Sequence, residues 1–151
     1  MPTFYNATRS PAVYDAGAPR PRWILGATYE NYSIKIVEED PIAGRVYTLT
    51  SLPANRSFAY RRDGSRSFIY YCDGDTGRLY RKQVEPTQQA AVALPWPVPT
   101  RGTQPTVQCR GTTMRFNPDR EWEGGSTGTV MFSYEQYGLF GIAEYFDVLP
   151  P

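Results

Sequence analysis

The sequence predicts an all-β fold, an antiparallel β-sandwich or barrel with Greek-key features, and three observations carry that prediction. Apolar residues recur with a period of two over short runs rich in β-branched and aromatic side chains. Turn-forming residues separate those runs at regular spacing. The 14 prolines and 13 glycines of the 151 residues, about 18% against roughly 12% on average, are too many and too evenly spread for a helical bundle. A chain of this length is one domain and can bury a sizeable core.

Taken in order, residues 1–22 contain Pro2, Pro11, Pro19 and Pro21 and read as an extended N-terminal arm with a short strand at 12–14. Residues 23–151 read as a single β domain. Its strands are expected at 23–29, 33–37, 45–50, 57–61, 67–71 and 77–81, then at 105–109, 112–116, 128–134 and 138–148. Asp63-Gly64 suits a tight hairpin, and Asp73-Gly74-Asp75-Thr76-Gly77 a longer one. Residues 87–94 are the one stretch patterned for a helix, of about two turns. Pro95, Pro97 and Pro99 impose a polyproline II course on the loop 95–105 and make Trp96 and Val98 project. That loop either packs over a sheet edge or docks on a neighbour.

There is no histidine. The usual general base, the usual zinc ligand and every Ser-His or Cys-His mechanism are absent with it. Carboxylates cluster at Glu38-Glu39-Asp40 and at Asp119, Glu121 and Glu123 around Trp122. Acid–base work by two carboxyls needs them on opposite sides of a substrate at a set separation, and solvated turns account for these clusters without it. The run from Asp73 resembles the start of a calcium loop, but Val84 stands where such a loop needs a bidentate glutamate. Residues 124–128 are glycine-rich without the lysine of a phosphate loop. The expectation is a non-enzyme with no catalytic residue, no metal site and no cofactor.

A net charge of +1 gives no overall pull toward nucleic acid or an anionic membrane. No apolar run is long enough to span a membrane as a helix, and the start lacks the pattern of a signal peptide. Location is therefore open: virion or cytoplasm for a native start, secreted for a trimmed one. Asn6, Asn31 and Asn55 lie in glycosylation sequons, which points to the second.

The charge is unevenly spread. From Arg56 to Lys82 seven basic residues face three acids, and from Phe116 onward six acids face Arg120. These are two solvated faces of one molecule or complementary surfaces that meet between subunits. Aromatics interleave with the arginines of the basic stretch, as in single-strand binders, but strand alternation turns many of them inward, which argues against nucleic acid. The contact candidates are Phe4, Tyr5 and Tyr14 in the arm, Trp96 in the loop, Arg61, Arg62, Arg78 and Arg81, and Glu121 and Glu123. Cys72 and Cys109 form one disulfide or stay as two buried thiols. Together these features predict a structural or interaction protein, self-associating or docked on protein partners, such as a subunit of a virus or phage particle. The alternative is a secreted β-sandwich binding module or inhibitor.

One local pattern adds to this. In the run from Ile34 to Tyr47, Glu38 ends a strand, Gly44 follows six residues later and Tyr47 three after that. This spacing resembles the first hairpin of a βγ-crystallin-type Greek-key motif, with Arg62-Asp63-Gly64-Ser65-Arg66-Ser67 in the place of the calcium-binding segment before Phe68 and Ile69. The resemblance spans residues 34–69 and implies a small β-sandwich with a structural, calcium-binding or inhibitor role. Val37 stands where an aromatic is usual and Arg62 replaces the first ligand, so the calcium binding it implies is weakened.

Overall fold

A computed structural model describes residues 12–28, 34–40, 45–52, 57–97, 107–122 and 127–151. It is all-β, with three antiparallel sheets whose strands follow one another in chain order. The first sheet comprises β1 (Val13–Asp15), β2 (Arg22–Thr28), β3 (Ile34–Asp40) and β4 (Arg45–Leu52). The second comprises β5 (Ala59–Asp63), β6 (Arg66–Cys72), β7 (Leu79–Glu85) and β8 (Val92–Ala93). The third runs β11–β10–β9, built from β9 (Val107–Glu121), β10 (Thr127–Gln136) and β11 (Leu139–Tyr145).

The second sheet is the middle layer. Along β6 every residue from Ser67 to Cys72 is buried, and successive side chains go to opposite faces. Ile69 and Tyr71, with Phe58, Tyr60 and Val84, pack on Ile24, Leu49 and Leu52 of the first sheet. Phe68, Tyr70 and Cys72, with Ala59 and Leu79, pack on Cys109, Met114, Val130 and Phe132 of the third. A strand buried on both faces has no polar side, which is why Phe68-Ile69-Tyr70-Tyr71-Cys72 reads as an unbroken apolar run. Each large side chain so buried contributes about 1.5–3 kcal/mol.

Local chemistry sets the turns. Asp63 pairs with Arg66 across the hairpin expected at Asp63-Gly64, and Gly64 holds φ at 62°. In the next hairpin the Asp73 carboxylate accepts from the amides of Asp75 and Thr76 at 2.7 and 3.1 Å. Its backbone carbonyl accepts from Gly77 at 2.9 Å.

Two expectations need correction. Residues 87–94 are not helical: the described residues contain no helix, and this segment ends in the short strand β8 beside β7. A two-turn helix is marginal in water, whereas the extended chain completes an edge: Leu94 donates to the Leu79 carbonyl at 2.8 Å and Leu79 to Trp96 at 3.2 Å. The separate strands at 105–109 and 112–116 are one strand, β9, interrupted by a bulge where Gly111 takes φ 62°. A Cβ on Gly111 would meet Cys72 Sγ at 2.9 Å, so only glycine fits between the bulge and the core.

Candidate interaction surface

The basic stretch is largely turned inward. Asp15 on β1, 3% exposed, is held by Arg62 on β5 through two bonds of 2.7 and 2.9 Å and by Arg22 on β2 at 3.2 Å. Tyr60 donates to the same carboxylate at 2.7 Å. Glu85 on β7 accepts from Arg22 at 2.5 Å, from Arg62 at 2.9 Å and from the Ser67 hydroxyl at 2.7 Å. Burial pushes the carboxyls of Asp15 and Glu85 up, but the arginine hydrogen bonds outweigh it and hold both below their ordinary values. Burial and the neighbouring Asp15 push the Tyr60 hydroxyl up to about 12.

A second cluster lies between the middle sheet and the chain after β11. Arg81 donates to both oxygens of Asp147 at 2.8 Å, and Tyr70 donates to it at 2.6 Å. Arg61 donates to the Tyr70 hydroxyl at 3.1 Å and to the Asp147 carbonyl at 2.9 Å, while its guanidinium lies 4.7 Å over Phe116. Burial, with the charge of Asp147, pushes the Tyr70 hydroxyl up. The arginines and the acidic third do meet here, within one chain.

The other candidates are scattered. Arg78 reaches the Leu94 carbonyl at 3.5 Å, and its buried Nε has no partner among the described residues. Trp96 is half-buried and stands edge-on to Phe132 at 4.6 Å, so the described part of its loop packs over the third sheet. Tyr14 is exposed beside Trp23 at 4.9 Å. Glu121 is exposed next to Trp122, which stacks on Phe146 at 5.9 Å. Cys72 and Cys109 are bonded, with Cα atoms 5.4 Å apart. Within residues 62–67 Arg62 is committed to Asp15 and Glu85, and Arg66 holds Asp63 at 2.6 Å. Phe4, Tyr5, Glu123, Gly44 and the sequon asparagines lie outside the described residues.

One surface is built differently from the rest. β11 is the outer strand of the third sheet, and its far side has no strand partner among the described residues. Leu139, Phe140 and Ile142 on it are 75%, 69% and 61% exposed, and Tyr137 at the hairpin tip 79%. An unpaired strand edge offers a row of amides and carbonyls to another chain, and proteins normally blunt such edges with charge, proline, bulges or brevity. The other edges here are blunted: β1 and β8 are three and two residues long, β9 is bulged and β5 carries Arg61, Arg62 and Asp63. On β4 the Gln88 amide caps the Leu49 carbonyl at 2.6 Å. β11 has no proline and no bulge and is seven residues long. Its register with β10 is unbroken from Leu139 to Tyr145, and Glu144 is its one charge.

Alternation gives β11 two faces. Ala143 and Tyr145 pack against the core, and Phe140 and Ile142 stand on the open face beside Glu135 and Ser133 of β10. Arg110 holds Glu135 at 2.6 Å and Arg120 holds Glu144 at 3.3 Å, so the charges beside the apolar pair are already matched. The chain has no match among family models, curated proteins or solved structures.

Leu139, Phe140 and Ile142 were not among the residues the sequence singled out. Their signal was present: Leu139-Phe140-Gly141-Ile142-Ala143 is apolar at both parities, as in a buried strand. The same pattern marks β6, which is buried, and only the layer order separates the two.

Proposed function

We propose that the protein is a non-enzymatic structural or interaction protein, a subunit that joins a larger protein assembly, of the kind a virus or phage particle is, through the edge and open face of β11. The carrying observation is that exposed, unbulged, apolar strand, whose one charge is already paired. Such edges recruit partners by β-strand addition, where main-chain bonds supply affinity and alternate side chains supply selectivity. The inward commitment of Arg61, Arg62 and Arg81 leaves apolar burial and strand pairing, rather than charge, as the source of contact.

Size exclusion of the chain from extracts of the cells that produce it tests this. The chain is expected to elute far above 17.1 kDa, and the Phe140→Lys, Ile142→Lys double variant to fall to monomer size while keeping its thermal stability. Elution of both forms as free monomer overturns the reading.

The Cys72–Cys109 bond favours a second reading, a secreted β-sandwich binding module or inhibitor, because disulfides persist in oxidising compartments. Free thiols in the protein isolated from its native source under thiol-blocking conditions would count against it.

A further inference from the structure

We infer that the partner of β11 is the β11 of a second copy of this chain, paired antiparallel about a two-fold axis through Ile142. This rests on the reading of β11 as the contact edge and names what it contacts. The two third sheets would then form one continuous sheet, doubling the three strands of each copy.

The strand's own sequence carries the argument. A two-fold contact is isologous, so each residue must suit the residue it meets in an identical strand. Ile142 is the middle of the seven residues of β11, and an axis there aligns all seven. Ile142 then faces Ile142, Phe140 faces Glu144, Gly141 faces Ala143 and Leu139 faces Tyr145. Like charges directly opposite destabilise a strand pair. The single charged residue of β11 avoids its own counterpart in this register, and Arg120 already neutralises it. The open face gains an apolar diagonal across the seam, Phe140 and Ile142 of one copy followed by Ile142 and Phe140 of the other, with a paired Glu144 at each end. The small pair Gly141–Ala143 lies on the core side, where the Tyr134 ring already covers Gly141 at 2.7 Å from a built Cβ. No bulge twists the strand away from a straight partner.

A foreign strand would need some feature to select it, and the described edge offers only shape and apolar surface. The same features suit an identical copy in a defined register. Because the contact is apolar and main-chain, the dimer should persist at high salt, unlike one built from the basic and acidic regions.

The test uses the purified full chain. Light scattering should give twice 17.1 kDa at low and at high salt, and Ile142→Lys should return it to the monomer mass with an unchanged unfolding temperature. Register is read by cysteine pairing under mild oxidation. Ile142→Cys should cross-link to itself. Phe140→Cys and Glu144→Cys should cross-link only when mixed, and the remote turn variant Asp75→Cys should not cross-link at all. A monomer at the highest soluble concentration, or cross-linking of Ile142→Cys no greater than that of Asp75→Cys, overturns the inference. A purified monomer that still enters a large complex in extracts, and loses it with the double lysine variant, overturns self-pairing alone. Failure in both settings overturns the assembly reading as well.

Discussion

Asp15 is the most deeply buried carboxylate of its cluster, and two arginines, a tyrosine and its own burial set what removing it does. Asp15→Ala leaves Arg22 and Arg62 facing each other across the space it filled, with Glu85 as the remaining acid in the cluster. Breaking a buried pair by deleting one partner costs about 3–5 kcal/mol. A fall of that size in the unfolding free energy from urea titration is expected, against a change within about 0.5 kcal/mol for exposed Asp75→Ala. The same carboxylates set the acid limb. Asp15 and Glu85 have folded pKa values below their ordinary 3.8 and 4.5, so in that range the unfolded chain binds more protons and stability rises with pH. Their contribution is present above about pH 4.5 and is lost as pH falls through the folded values. On the alkaline side Tyr60 keeps its proton up to about 12 against 10.0 when unfolded. Its contribution is whole below pH 10 and disappears as pH rises toward 12. Melting temperatures from pH 2 to 12 should therefore fall at both ends, and Tyr60→Phe should blunt the alkaline fall. Arg62 and Tyr60 were legible within the basic stretch from Arg56 to Lys82, but Asp15, Arg22 and Glu85 lie outside it. Their pairing was not legible, because Arg62 and Asp15 lie 47 residues apart and nothing local pairs them.

Strands and turns were the most readable level. Period-two patterning located β5, β6, β7 and β10 to within a few residues, because side-chain alternation is a local property of the backbone. The two failures are places where a neighbour outweighed local preference: β8, drawn into strand pairing by β7, and the bulge of β9, accommodated by Ser133. That serine accepts from the Thr112 amide at 2.9 Å and bonds the Thr112 hydroxyl at 2.7 Å. β1 pairs with β2 and supplies Asp15, so deleting residues 1–22 tests folding as well as assembly. Deleting 1–11 is the cleaner experiment. The Cys72–Cys109 bond ties β6 to β9 across 37 residues. Closing a loop of that size is worth about 3–4 kcal/mol through the unfolded chain. The Cys72→Ser, Cys109→Ser pair should lose about that much in denaturant unfolding, and reductant should lower the melting temperature of the native chain but not of the double variant.

At the scale of the molecule, three layers bury the central strand β6 from Ser67 to Cys72 on both faces. Amides of β6 should exchange with deuterium only when the whole domain opens, and those of β1 should exchange far sooner. Equal protection across the two strands would contradict the layered core. By itself the sequence determined the all-β class, most strand positions, the hairpin turns at Gly64 and Gly77, and the absence of histidine chemistry. All of these depend on residues close together in the chain or on composition. Only the tertiary structure decided which apolar strand is the core and which is the edge. β6 and β11 carry the same two-sided apolar pattern, and burial depends on which sheets stack against a strand, a long-range property that no local period encodes.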